Sequence, residues 1–335
     1  MIYGQAVTFG GGVGGNELIV TAPVGSTVTA TKDGKTKTAT ENNGVFTFKG
    51  LEAGEWTVTA TKGSQTASKL VTVSAETTAL TFKPVASTAA TSGVSYTAGL
   101  AGVSAEDVSL FADAISNNSA ITNTTSVVYI DYGDTIHRKI SVGDQVTLSL
   151  NGTNYVFDII GFNHDALTDA NAYGFPTATG KAGITLQMHD CFATTYSMGS
   201  GNVWKSCTMR TSTLVTLKGY LPNEWEAVIK PVNKVTAAGG GSSALEPLSE
   251  SCFLLAEVEV FGSASKGYSG EGSQYAYYRA GNSKGKKKGS SDQDWRLRSP
   301  QNGSSTQYCI VLSWNGSVSV GSAGSSGGVA FAFCV

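Results

Sequence analysis

The sequence predicts a β-rich, multidomain protein: an antiparallel β-sandwich, a short helical linker and a C-terminal α+β domain. Three observations predict it. Between about residues 17 and 83, apolar and polar residues alternate with period two, the pattern of half-buried strands. Glycine and other turn-forming residues recur at short intervals, with 41 glycines in 335 residues and only 14% charged side chains, against roughly 25% in ordinary domains. The length suits two or three domains, each able to bury its own core.

Residues 1–16 are glycine-rich around Ile2, Tyr3, Val7 and Phe9. Such a segment folds only against something else. It reads as a docking arm with those four residues as its contacts, or as a disordered tail. Residues 17–83 carry Leu18-Ile19-Val20, Val28, Ala30, Val45-Phe46-Thr47-Phe48, a strand from Gly54 to Ala60, and Leu70-Val71-Thr72-Val73. Lys32-Asp33-Gly34-Lys35 between two of these stretches is a hairpin signal. About six such strands make a sandwich. Residues 84–136 form an Ala/Ser/Thr-rich linker with one helix. Ser104 followed by Asp107 caps its start, Val108, Leu110, Phe111, Ala114 and Ile115 give it an apolar face, and Asn117-Asn118 end it. Strand character resumes at Val127-Val128-Tyr129-Ile130.

Residues 137–335 form the last domain. Strands from Val142 to Leu148 and from Tyr155 to Gly161 flank an Asn151-Gly152 turn. Two helices are predicted, Trp204 to Leu217 and Asn223 to Ile229, the second capped by Asn223 just after Pro222. The chain closes on an apolar strand, Val329 to Val335.

Composition excludes several functions. A net charge of -2 argues against a nucleic-acid partner. No apolar run approaches the roughly 18 residues of a membrane helix, so no membrane insertion is expected. The start, Met1-Ile2-Tyr3-Gly4-Gln5-Ala6, lacks a basic segment followed by an apolar run, so the protein is read as soluble and made in a cytoplasm. Five dispersed cysteines, with no CxxC pair and no adjacent histidine, read as buried thiols rather than zinc ligands or a disulfide framework. The Gly10 to Gly15 run lacks the Lys-Ser/Thr of a phosphate loop, and no Gly-x-Ser-x-Gly elbow joins a strand to a helix. His137, His164 and His189 lie near Asp165, Asp169 and Asp190. Because His164-Asp165 and His189-Asp190 are chain neighbours, strand geometry turns their side chains apart. They are read as structural or loop residues, so no catalytic residue, metal or cofactor is expected.

Two resemblances add to this reading. The stretch Gly44-Val45-Phe46-Thr47-Phe48-Lys49-Gly50-Leu51-Glu52-Ala53-Gly54-Glu55-Trp56-Thr57-Val58 resembles the core of carboxypeptidase-regulatory-like, immunoglobulin-like domains. Those domains act as spacers and surface adhesins. Further on, Trp204 to Arg210, Leu221-Pro222-Asn223-Glu224-Trp225, Val228 to Lys234, Phe253 to Gly262, Glu271 to Tyr278, Trp295-Arg296-Leu297-Arg298-Ser299-Pro300 and Gly328 to Val335 resemble, in order, a domain family of phages and prophages of gut Firmicutes. This resemblance implies a C-type-lectin-like α+β fold. The chain departs from that fold's formylglycine-generating enzymes in lacking paired C-terminal cysteines, and from its calcium-dependent lectins in lacking their Glu-Pro-Asn or Gln-Pro-Asp triplet.

Within residues 263–294, tyrosines alternate with Gly, Ser and Lys as in evolved binding surfaces. Tyr275 and Tyr277 read as buried framework, Tyr268 and Lys284 to Lys288 as exposed. Tyr268, Tyr278, Arg279, Lys286 and Lys287 are the candidate ligand-binding residues, although the lysine run also reads as a solvated loop tip. Arg296 and Arg298 alternate on one strand and are expected to pair with Glu257 or Glu259. The resemblances imply a bacteriophage virion accessory protein, a head fibre, capsid decoration or tail-tip adhesin. Its arm would dock on a capsid or tail protein and its head on a bacterial surface glycan or protein, with a homo-oligomer expected and a trimer as one form it could take. The alternatives are a host-surface-modifying enzyme, of formylglycine-generating or glycan-hydrolase type, and a bacterial surface adhesin.

Overall fold

Period-two segments fold as sheet throughout a computed structural model that describes residues 7–9, 16–62, 65–169 and 177–335. Ile2 and Tyr3 lie outside the described residues, as do the side chains of Val7 and Phe9. The described chain is β-rich, with several separate sheets. It divides into two units, one within Met1–Ala98, Gly102–Ala114 and Val128–Ile140, the other within Gly99–Ala101, Ile115–Val127 and Ser141–Val335.

The first unit opens with β1 (Val7–Phe9), β2 (Leu18–Thr21), β3 (Thr27–Lys32), β4 (Lys35–Thr38), β5 (Thr40–Asn42), β6 (Val45–Phe48), β7 (Gly54–Lys62), β8 (Gln65–Val73) and β9 (Thr77–Thr81). These form two sheets, ordered β1-β9-β2-β6-β5 and β4-β3-β7-β8. Leu18, Val20 and Phe46 from one sheet and Val28, Trp56 and Val58 from the other share one buried cluster. Asp33 and Gly34 both take positive φ, 49° and 75°, as the predicted two-residue hairpin requires. β1 pairs with β9, Val7 opposite Ala79, so the strand set begins inside the segment read as an arm.

The segment read as a linker is itself folded. It contains β10 (Val85–Ser87), β11 (Thr97–Ala98), α1 (Ala105–Ser116), β12 (Val127–Tyr132) and β13 (Ile136–Ser141), with the strands joined in the order β10-β12-β13-β11. Alternation in Val127–Tyr132 is the sequence feature behind that sheet. The Ser104 cap forms as read: its Oγ accepts the Asp107 N–H at 3.2 Å and donates to the Asp107 carboxylate at 2.6 Å. At the other end of α1, Asn163 Nδ2 donates to the carbonyl of Ile115 at 2.9 Å, filling one of the helix's terminal acceptors.

The second unit continues with β14 (Gln145–Leu150), β15 (Thr153–Phe162) and β16 (Ile184–Met188). Asn151 and Gly152 make the predicted turn, at φ 48° and 82°. The expected helix from Trp204 to Leu217 is instead three pieces: a 3-10 turn at Trp204–Ser206, a π turn at Met209–Thr213 and α2 (Leu214–Lys218). Cys207 is extended at ψ 151° and interrupts it. Trp204 Nε1 and Arg210 Nε both donate to Glu250 Oε1, at 3.0 and 2.7 Å, and this shared anchor replaces helical continuity. The second expected helix is only α3 (Asn223–Glu226). Pro222 occupies its cap position and Asn223 makes no side-chain cap bond.

Then come β17 (Val232–Gly239), β18 (Ser242–Glu250), α4 (Glu257–Phe261), α5 (Ala276–Arg279), β19 (Lys287–Lys288), β20 (Ser291–Asp292), β21 (Trp295–Pro300), β22 (Gln307–Val311), β23 (Val318–Ser322) and β24 (Ala332–Cys334). β24 joins the sheet β14-β15-β16-β24, and β21-β22-β23 form another. Phe331 and Phe333 meet Phe157 edge-on at 5.6 and 5.5 Å, so the apolar C-terminal strand lies in the core of this unit. All five cysteines are buried free thiols. Among the described residues no helix is long and apolar enough to cross a membrane.

Candidate functional site

β15 is apolar and buried through Phe157, Ile159 and Ile160, yet Asp158 lies among them at 2% exposure. A buried carboxylate needs partners. Gln145, its cross-strand neighbour on β14, donates Nε2 to Oδ1 at 2.9 Å. His189, the residue after β16, places Nδ1 at 2.8 Å from Oδ2 and 3.1 Å from Oδ1. The hydrogen bond to Asp158 raises the His189 pKa, against partial burial that lowers it. With Nδ1 engaged, Nε2 is the ring nitrogen left for a ligand, on a side chain 45% exposed.

His189 opens onto a cleft of about 320 Å³ that Asp190, Tyr277, Lys287, Asp292 and Ser313 also line. The Lys287 N–H donates to Asp190 Oδ1 at 2.7 Å. Behind the wall, Lys286 donates Nζ to the carbonyls of Met188 and His189, at 2.6 and 2.9 Å, under the Trp295 ring at 5.3 Å. Burial lowers the Lys286 pKa. Burial, with Asp158 adding to it, pushes the Tyr277 phenol up to about 12, so it stays protonated.

The candidate binding residues separate on this frame. Lys287 lines the cleft. Lys286, read as exposed, is 5% exposed and holds the backbone beneath His189. Tyr268, also read as exposed, is 7% exposed, and its hydroxyl accepts the Gly303 N–H at 3.3 Å. In both cases a long side chain reaches a backbone partner inside the fold. Tyr278 is buried and donates to Gln187 Oε1 at 2.6 Å. Arg279 is exposed and donates to the carbonyls of Gln274 and Asn123, at 2.5 and 3.3 Å. Tyr275 and Tyr277 are buried, as read.

Sequence pattern alone does not pick out His189, Asp158 and Asp292 as ligand contacts. His189 pairs with Asp158 on the adjacent strand and not with its chain neighbour Asp190. The available signal was Asp158 itself, a carboxylate inside an apolar strand.

A second polar cluster is closed. Lys234 Nζ lies 2.6 Å from Asp165 Oδ1 and also pairs with Glu259. Arg298 holds Glu259 through two nitrogens, at 2.5 and 3.0 Å, the pairing expected of that strand. Burial opposes ionisation of Asp165 and Glu259, but Lys234 and His164 hold Asp165 well below the usual carboxylate range, and Arg298 with Lys234 lowers Glu259. Among the described residues Arg296 finds no carboxylate. It donates Nη2 to the Ser325 carbonyl at 2.5 Å, while its Nε and Nη1 are buried without a partner. Glu257 instead accepts the N–H groups of Ser265, Lys266 and Gly267, at 2.7, 3.1 and 2.5 Å, which fixes the start of the irregular loop.

Residues 188–335 match the model of a family described as Domain of unknown function (DUF6273). The matched span holds every cleft-lining residue named above, while Asp158 comes from outside it. No curated protein and no solved structure matches the chain.

Proposed function

We propose that this chain is a bacteriophage virion accessory protein, a head fibre, capsid decoration or tail-tip adhesin, that presents a C-type-lectin-like head for recognition of a bacterial surface glycan. An immunoglobulin-like spacer carries the head. The observation that carries the recognition half is the cleft. His189, Asp190 and Asp292 gather there around a volume near the lower end of small-ligand sites, and the wall beneath His189 is held by Lys286. The virion half is supported by the ordered resemblance of residues 204–335 to phage and prophage domains.

The test is mass spectrometry and cryo-electron microscopy of particles from the phage or prophage that encodes the chain, with binding of the purified full chain to host cells. The chain is expected on the particle, with the His189 cleft facing outward, and on cells. Its absence from particles together with no cell binding would refute the proposal.

A host-surface-modifying enzyme is the second reading. The observation in its favour is the His189–Asp158 pair, since a carboxylate-held imidazole with one open nitrogen is also a general base. Cleavage of host-wall saccharide during the binding assay, abolished in His189→Ala, would establish it.

A further inference from the structure

The chain has five tryptophans. Trp56, Trp204, Trp225 and Trp295 are at most 5% exposed, whereas Trp314 is 72% exposed. Exposure of a single apolar side chain is ordinary. What distinguishes Trp314 is the way its backbone is held and what lies beside it.

The turn between β22 and β23 is tied across its base. Leu312 N–H donates to the Ser317 carbonyl and Gly316 N–H to the Leu312 carbonyl, both at 2.8 Å. Asn315 Oδ1 accepts from Ser317 N–H and Oγ, at 3.0 and 2.8 Å. Ser313, the residue before the indole, lines the cleft and is fastened to it. Its N–H donates to Asp294 Oδ1 at 2.8 Å, its hydroxyl donates to the Gln293 carbonyl at 2.5 Å, and that hydroxyl accepts the Lys286 N–H at 3.1 Å. Gly285 packs so closely that a Cβ there would lie 2.5 Å from the Ser313 carbonyl oxygen. A rigid turn thus carries a water-exposed indole one residue from the wall of a polar cleft.

The lining chemistry narrows the ligand. Asp190 and Asp292 oppose Lys287 and His189, so the cleft offers no excess positive charge to an anion. Carboxylates accept hydrogen bonds and are matched by pairs of hydroxyl groups. An indole offers a flat apolar face for ring C–H groups while ring hydroxyls stay wet. We propose that Trp314 is the stacking platform for a neutral pyranose, a hexose or N-acetylhexosamine at the end of a glycan, whose hydroxyls bind in the His189 cleft. This rests on the glycan-recognition reading above and assigns its ligand class and a specificity-determining residue.

The test uses the full chain with methyl β-glucopyranoside, methyl β-galactopyranoside, methyl α-mannopyranoside and N-acetylglucosamine, and with glucuronic and galacturonic acids as anionic counterparts. Because the other four indoles are buried, acrylamide quenching reports Trp314. At least one neutral sugar is expected to protect it saturably, and the uronic acids to protect it less. By saturation-transfer NMR, Trp314→Ala is expected to weaken binding about tenfold or more, and Trp314→Phe and Trp314→Tyr to stay within about threefold of the parent. Unchanged sugar binding in Trp314→Ala, with loss in Asp292→Ala, would overturn the platform and leave the cleft as the binding site. Preference for uronic acids would overturn the neutral class. Attachment to host cells without binding of any sugar in the panel would overturn this inference and leave the recognition reading intact; loss of both would remove the two together.

Discussion

The cluster around Glu259 and the cleft around His189 use the same residue types and differ in how completely the protein fills their hydrogen-bonding capacity. Glu259 receives Arg298, Lys234 and the Ala256 N–H. Asp165 receives Lys234, Thr185 and Tyr275 at 2.6, 2.7 and 2.8 Å. All four oxygens of these two carboxylates are taken up inside the fold. In the cleft, Asp158 is filled from behind by Gln145 and His189, while the far side of the imidazole stays open. The comparison teaches that a charge saturated inside the fold serves stability, and a charge saturated on one side becomes a presented group.

The largest effect is expected where saturation is most complete. Glu259→Gln strips the counter-charge from Arg298 and weakens that of Lys234, both buried, so a loss of about 3–5 kcal/mol is expected in urea unfolding. A loss under about 1 kcal/mol would mean that the second unit is held together elsewhere. Asp158→Asn sits between the two regimes. It keeps the shape but removes the charge that holds the imidazole. Destabilisation of about 1–3 kcal/mol is expected, and the His189 titration followed by NMR should move to lower pH.

Acid and alkaline limbs separate the regions further. The folded values of Asp165 and Glu259 are depressed, so their stabilisation is present above the unfolded carboxylate values near 4 and is lost as pH falls through and below them. His189 has the opposite sign. Its folded value is raised, so its contribution is complete below the unfolded value of about 6.5 and disappears as pH rises through the folded one. His189→Gln should therefore flatten stability against pH above about 6 and leave the acid limb unchanged. A change confined to the acid limb would break the assignment.

Local features were the most legible in the sequence. Asp33-Gly34 and Asn151-Gly152 formed as hairpin turns because positive φ at both positions is a property of the dipeptide itself. The Ser104 cap is local too. Helix length was not local: Trp204 to Leu217 broke because Glu250, forty residues downstream of Arg210, holds both the indole and the guanidinium. The cleft was least legible, because His189 meets Asp158, 31 residues earlier in the chain, across a strand pair. The lysine run misled for a related reason. Its composition reads as a loop tip, yet Lys286 turns inward to the carbonyls of Met188 and His189, which no sequence pattern encodes.

The smallest expected stability change is at the residue with the largest proposed effect on binding. Trp314 exposes most of its surface, and the ties that fix its turn are made by its neighbours. Trp314→Ala should therefore shift unfolding by no more than about 0.5 kcal/mol. It joins Glu259→Gln in a two-way contrast: one variant lowers the stability of the second unit while leaving the cleft residues in place, the other loses binding from a fold of undiminished stability. A thermal-unfolding series paired with host-cell attachment reads both axes at once. If Trp314→Ala instead lowered stability by more than about 1 kcal/mol, the indole would be packed in solution, and the division between saturated and presented groups would have to be redrawn at the cleft's edge.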